Sequence, residues 1–236
     1  MSGVTVETLF LDAGGVVVFP NWDRVADTLA RHGVPIGGDA LRQVEPAAKF
    51  AIDEERRVTT STDADRGSVY IDSVLDNASV PRSRARDAAL AELYAYHTEY
   101  NLWEHVPADV VAALERLSSL GISLAIASNA NGVLQRMFER VGLTRFFHAI
   151  CDSCVEGVEK PDPRFFQIVL ERSGGRPETT LHVGDLYHVD VVGARRAGLQ
   201  AMLVDPHDLY GGYDVERIRG LGELVERLTQ RARGSG

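Results

Sequence analysis

Several side chains of complementary chemistry occur in one order along this chain, most of them at the end of a short apolar run. Asp12 follows Leu9-Phe10-Leu11 and precedes Ala13-Gly14-Gly15-Val16; Ser128 follows Ala125-Ile126-Ala127 and precedes Asn129. Lys160 opens Lys160-Pro161-Asp162-Pro163, with Phe165-Phe166 just beyond, and Asp185 follows Gly184, with Asp190 further on. A carboxylate such as Asp12 can attack phosphorus in line and form an aspartyl-phosphate, dividing one difficult step into two easier ones. Ser128 and Asn129, with nearby backbone N–H groups at a helix N-terminus, can hold phosphate oxygens. Lys160 offers a point charge that binds phosphate and damps the negative charge around the nucleophile. Asp185 beside Asp12 provides hard oxygen donors that suit Mg²⁺. Without a cation, carboxylates crowded there would repel, and one would take up a proton.

These residues act together only if a fold gathers them. Five short apolar runs predict strands: Val6–Asp12, Ile122–Ser128, His148–Asp152, Thr180–Asp185 and Gln200–Asp205. Their carboxyl ends carry Asp12, Ser128, Asp152, Asp185 and Asp205, and open parallel sheets bind ligands outside those ends. Helices are predicted between them: Asp109–Leu120 before Gly121, about Asn131–Val141 before Gly142, Pro163–Ser173 with Asp162 as N-cap and Pro163 at N1, and about His188–Ala197 before Gly198. Such alternation implies a parallel sheet with right-handed crossovers. From about Pro20 to His105 it stops. That interval shows no good strand and several helical patterns: one through Trp22, Val25, Ala26 and Leu29 that closes at Gly33, then Ala40–Arg57 and Pro81–Tyr100. It predicts a helical cap inserted into a three-layer α/β core, with Trp103 and His105 in the linker between them.

Composition narrows the class. In 236 residues, 34 acidic and 25 basic side chains give a net charge of −9, which argues against a nucleic-acid or anionic-membrane partner. Hydrophobic residues make up 44%, enough for a core and too many for a disordered chain. No apolar run approaches the ~20 residues of a membrane span. Met1–Val6 lacks the basic start and apolar stretch of a signal peptide. Cys151 and Cys154 cannot make a disulfide framework, and have no partner pair for zinc, so two reduced thiols and a cytoplasmic setting are expected. Of the 25 basic residues only Lys49 and Lys160 are lysines, which favours a specific role for Lys160.

The motifs resemble those of the haloacid dehalogenase-like (HAD) superfamily, over essentially the whole core. Leu9 to Val16 is similar to its first motif, Ala125 to Asn129 to the second, Lys160 to Phe166 to the third, and Gly184-Asp185 with Asp190 to the fourth. The resemblance implies a Rossmannoid α/β core over residues 1–18 and 106–230, an α-helical cap over 19–105, and a loose tail over 231–236. It also implies a Mg²⁺-dependent phosphatase of a small phosphorylated metabolite, monomeric or homodimeric. Asp12 is then the nucleophile, assisted by Ser128 and Lys160, and the metal is held by Asp12, Asp185 and the main-chain carbonyl of Gly14. Asp190 orients Asp185 or caps its helix, and Tyr187 and His188 are rim or surface residues.

One departure matters. Phosphatases of the superfamily usually place a second Asp two residues after the nucleophile, to protonate the leaving oxygen and then activate water. Here that residue is Gly14, and losing such a group typically costs about 10²–10⁴-fold. Good leaving groups are therefore expected. Three alternatives remain: a metal-free 2-haloacid dehalogenase with Arg42 binding the substrate carboxylate, a phosphonatase-like enzyme with Lys49 forming a Schiff base, and a weakly catalytic HAD fold kept for binding or regulation. Asp185 fits poorly in a dehalogenase site without a cation.

Overall fold

The computed structural model describes residues 6–234. Residues 1–5, which include most of the Met1–Val6 segment, and residues 235–236 lie outside them. The chain begins with β1 (Thr8–Leu11) and β2 (Phe19–Pro20), then enters a helical block of α1 (Trp22–Arg31), α2 (Gly38–Ile52), α3 (Glu55–Thr60), α4 (Asp63–Asn77) and α5 (Arg84–Tyr100). After β3 (Trp103–His105) strands and helices alternate: α6 (Ala108–Ser119), β4 (Ser123–Ser128), α7 (Leu134–Arg140), β5 (Ala149–Asp152), α8 (Ser153–Glu156), α9 (Pro163–Ser173) and β6 (Thr180–Gly184). A π-helical turn (Tyr187–Val191), α10 (Val192–Arg196), β7 (Gln200–Val204), β8 (Glu216–Ile218) and α11 (Leu221–Gly234) complete it. Two compact units result: one takes in the chain up to Phe19 and from Val106 onward, the other Pro20–His105.

The first unit is a six-stranded parallel sheet in the order β5-β4-β1-β6-β7-β8. β1 is central because Leu9, Phe10 and Leu11 are apolar on both faces, and all three are fully excluded from solvent. The strand order reverses at β1, with β4 on one side and β6 on the other. Right-handed crossovers leaving in opposite directions place helices on both faces, a three-layer α/β arrangement with a crevice at the switch point. On one face Phe10 and the small Ala125 and Ala127 leave room for Phe165 and Phe166 of α9. That helix starts as its sequence dictates: the Asp162 side chain accepts a hydrogen bond from the Arg164 N–H, Pro163 occupies the first turn, and Gly174 ends it at φ +68°.

The second unit has its own core, with Trp22, Val25 and Leu29 of α1 packed with Leu41, Tyr70, Val74 and Leu93 from the other helices. Where periodicity predicts one helix over Ala40–Arg57, the chain forms two, with Asp53 at the C-cap of α2, where an acidic group disfavours continuation, and Glu54 at the N-cap of α3, where it is favoured. α4, which the sequence reading passes over, buries Tyr70, Ile71, Val74 and Leu75 on one face. A capping box starts it: Thr62 accepts from the Asp65 N–H, and the Asp65 carboxylate accepts from the Thr62 N–H. The interval read as strandless contains the three-residue β3, which pairs with β2. Strands this short, like β8, carry too few residues for alternation to register. At the other end α11 continues to Gly234, so helix replaces most of the loose tail expected over 231–236.

Candidate active site

β1 delivers Asp12 to the carboxyl edge of the sheet, where its N–H still bonds the Val183 carbonyl of β6 at 2.9 Å. The chain then turns tightly. Val17 and Val18 N–H groups both return to the Ala13 carbonyl, and the Gly15 N–H to the Val18 carbonyl, so Asp12 sits at the foot of a closed loop containing Gly14. Gly15 adopts φ +71°, and a Cβ there would overlap the Asp185 carboxylate. Both constraints require glycine. We expect Gly15→Ala to push Asp185 aside and weaken Mg²⁺ binding at least tenfold by calorimetry; unchanged affinity would show that Asp185 does not need this approach.

Lys160 reaches Asp12 from the loop before α9. Its side chain is fully buried, with Nζ 3.0 Å from Asp12 Oδ1 and 2.6 Å from Asp190 Oδ1. Asn129 seats it from the end of β4: Asn129 Oδ1 accepts from the Lys160 N–H at 2.8 Å, and Asn129 Nδ2 donates to the Lys160 carbonyl at 3.0 Å. The Lys160–Pro161 bond is cis. The Asn129 side chain, read from the sequence as a phosphate ligand, is thus occupied by the lysine's main chain, and only its N–H is left for that role. Ser128 lies at the buried end of β4, its hydroxyl donating to the Asn129 carbonyl at 3.3 Å.

Asp185 and Asp190 come from the end of β6 and the π-helical turn after it. Carboxylate oxygens of Asp12, Asp185 and Asp190 lie within 4.8 Å of one another. Asp190 is saturated with donors: Oδ2 accepts from the N–H groups of Asp185 (3.1 Å) and Leu186 (3.0 Å), and Oδ1 from Lys160 Nζ and His182 Nε2 (3.0 Å). With four donors on its oxygens, Asp190 ties down the Asp185 loop, and the cluster of carboxylates offers hard oxygen donors of the kind that suit a Mg²⁺ ion. Gly184 permits this, since a Cβ there would overlap the Asp190 carboxyl.

The charges are strongly coupled. Burial pushes the Asp12 carboxyl up to about 7 against the pull of Lys160, and the Asp190 and Asp185 charges push the same way. Burial would depress Lys160, but the Asp12 and Asp190 carboxylates hold it above the ordinary lysine range. Asp190 is held well below the carboxylate range, because Lys160 and His182 outweigh the effect of its burial.

Other strand-end residues take structural roles. Asp152 accepts from the N–H groups of Gly132 (2.9 Å) and Leu134 (3.2 Å) and caps α8; Asp205 accepts from those of Leu209 and Tyr210 and pairs with Arg217. Cys151 is buried, its thiol pushed up to about 12 by burial and then Glu156, while Cys154 is exposed, and both are free. Tyr187 and His188 are half-buried and meet the Tyr213 ring at tilted and edge-on angles. In the helical unit Arg42 is tied to Asp23 and Asp39, each at 2.6 Å. His182 is the residue that sequence reading misses. Its signal is a polar side chain within Thr180-Leu181-His182-Val183, a strand buried throughout.

Among curated relatives, the chain is 31% identical over 152 residues to a glyceraldehyde 3-phosphate phosphatase of Methanopyrus kandleri, covering 59% of this chain and 65% of that protein. It is 36% identical over 132 residues to a phosphoserine phosphatase of Thermus thermophilus, covering 56% and 51%. It thus spans between half and two thirds of the length of these relatives. Its fold matches the crystal structure of YfnB from Bacillus subtilis bound to magnesium, at a TM-score of 0.68 and 19% identity, over 95% of this chain and 99% of that one. Among the described residues no helix is long and apolar enough to cross a membrane. The family model for haloacid dehalogenase-like hydrolases matches residues 6–198, from the strand that carries Asp12 to the glycine that ends α10, and the chain belongs to that family.

Proposed function

We propose that this chain is a Mg²⁺-dependent phosphatase of a small phosphorylated metabolite, acting through an aspartyl-phosphate on Asp12. The observation that carries this reading is the buried Lys160 ammonium, 3.0 Å from Asp12 and shared with Asp190, beside the Asp185 carboxylate. An Asp12 carboxylate oxygen attacks phosphorus as the ester P–O bond breaks and the leaving group departs as its oxyanion, while Lys160 balances charge on the transferring group. The Ser128 hydroxyl and the Asn129 N–H hold phosphate oxygens. Asp12, Asp185 and the Gly14 carbonyl would hold Mg²⁺, which when bound would supply further positive charge to that group. Water then attacks the aspartyl-phosphate at phosphorus, the bond to the Asp12 oxygen breaks, and inorganic phosphate and the free carboxylate are released, the water's proton passing to the leaving oxyanion or to solvent. We assign substrate selection to the helical unit as a cap, and a cytoplasmic setting, which the two free thiols support. Monomeric and homodimeric forms both fit this reading.

Two observations bear on the substrate. The relatives named above act on glyceraldehyde 3-phosphate and phosphoserine, which supports a small phosphorylated molecule. Gly14 has no side chain to protonate a leaving oxygen, which favours leaving groups stable as anions. The dehalogenase alternative is weakened because the Arg42 guanidinium is already paired with two carboxylates.

The decisive experiment compares p-nitrophenyl phosphate with an alkyl phosphate, with and without Mg²⁺. Metal-dependent turnover is expected, with the aryl ester faster by about 10² or more, the lower bound for a missing general acid. Equal rates would mean that another group supplies the proton. No turnover of either ester by folded, metal-loaded protein would overturn the phosphatase reading.

A further inference from the structure

His182 belongs to none of the four motifs, yet it is bound into the charge network around Asp12 through Asp190. It sits in mid-β6 with no solvent exposure, in register with Phe10 of β1. Its Nε2 lies 3.0 Å from Asp190 Oδ1, the same oxygen that accepts from Lys160 Nζ at 2.6 Å. Its Nδ1 is buried with no hydrogen-bond partner among the described residues, so the ring's polar contact runs through Nε2. The Phe166 ring meets the imidazole edge-on, with centroids 5.0 Å apart. Phe166 is itself confined, since even a Cβ on Gly193 would press against it at 2.9 Å.

We infer that His182 is a positioning residue that keeps the Lys160 ammonium on Asp12 by sharing the Asp190 carboxylate with it. Lys160 Nζ stands between two anions, 3.0 Å from Asp12 and 2.6 Å from Asp190. The hydrogen bond from His182 meets part of the acceptor demand of Asp190 Oδ1 and fixes that oxygen's direction. Without it Asp190 draws Lys160 more strongly and can rotate, which also disturbs the two N–H contacts that hold the Asp185 loop. A donor that touches no substrate thereby sets where the cation stands beside the proposed nucleophile. Such supporting partners typically change activity by about 10–100-fold. The inference deepens the phosphatase reading and rests on it for its effect on turnover, but its effect on Lys160 can be read independently.

The composition provides that readout. With only Lys49 and Lys160 in the chain, selective ¹³C,¹⁵N-lysine labelling yields two side-chain signals by NMR, assigned through Lys49→Arg. Three variants are compared with wild type in the full-length protein: His182→Leu, which removes the donor; His182→Gln, whose amide nitrogen can reach the Nε2 position; and His182→Asn, whose amide falls short of it. His182→Leu is expected to move the Lys160 signal while leaving that of Lys49, and to lower kcat on p-nitrophenyl phosphate about 10–100-fold. His182→Gln restores both in large part, and His182→Asn does not. The inference is overturned if His182→Leu lowers only Tm while the Lys160 signal and kcat stay at their wild-type values, or if Asn restores them as well as Gln. Should His182→Leu fail to fold, the difference between Gln and Asn decides. Absence of wild-type turnover would sink the phosphatase reading, while the Lys160 signal would still judge this one.

Discussion

Asp12→Asn should abolish Mg²⁺-dependent hydrolysis of p-nitrophenyl phosphate, by a factor on the order of 10³ or more, because the amide cannot form the aspartyl-phosphate. The same substitution should not destabilise the metal-free protein above neutral pH. Burial pushes the Asp12 carboxyl up to about 7 in the folded chain, against about 4 when unfolded. The folded state therefore binds this proton more tightly, and the ionised carboxylate opposes folding increasingly as pH rises through that interval. Asparagine removes the charge. At about pH 8 in EDTA the variant should melt no lower than wild type, and the comparison should tilt towards wild type as pH falls to about 4, where its carboxyl is protonated. Mg²⁺ should raise Tm for wild type and do so much less for the variant, since a ligand stabilises only the state it binds. Full turnover in Asp12→Asn would remove it as nucleophile. A large drop in Tm at about pH 8 would show that its charge is better compensated than its burial implies.

Lys160→Met should have the largest effect on stability. The methionine approximates the lysine's volume but leaves Asp12 and Asp190 facing each other without their shared cation. Removing one partner of a buried ion pair typically costs about 3–5 kcal/mol, or roughly 6–20 °C in Tm for a chain of this size. The pH dependence has a defined sign. Asp190 is held well below the carboxylate range mainly by Lys160, so in wild type it contributes stability that is present above its unfolded value and lost as pH falls through its folded one. In the variant that contribution disappears. The deficit should be greatest at about pH 8 and narrow as the pH falls through the carboxylate range, where both groups take up protons. Activity should fall at every pH, because the charge at the transferring group is gone. A variant as stable as wild type across that range would mean that the two carboxylates do not depend on Lys160.

Much of this site is written in local sequence, because its determinants are local. A run such as Leu9-Phe10-Leu11, apolar on both faces as a strand, is satisfied in the middle of a sheet covered on both sides, and the polar residue that ends it falls at the ligand-binding edge. Asp12, Ser128 and Asp185 end such runs, and the Pro163 helix start is legible from its cap alone. The helices of the inserted unit are less legible: α4 has an apolar face of Tyr70, Ile71, Val74 and Leu75, but Gly67 interrupts the helical pattern ahead of it.

The function of individual polar groups followed another rule. Asn129 has one amide, and residue type cannot say whether phosphate or the main chain of a residue 31 positions away will take it; the tertiary structure gives it to Lys160. Residue type does not say whether Asp190 orients Asp185 or caps its helix; four donors on its oxygens, two of them the N–H groups of Asp185 and Leu186, tie it to the Asp185 loop. His182 looked like one polar interruption in a buried strand, and only the packing of β6 against the Lys160 loop made it part of the site. Sequence determines which chemical groups reach the sheet edge, because burial and periodicity act on neighbours along the chain. Partners, and with them charge states and roles, are decided by the tertiary structure, because a hydrogen bond or buried charge depends on distances between residues far apart in the chain.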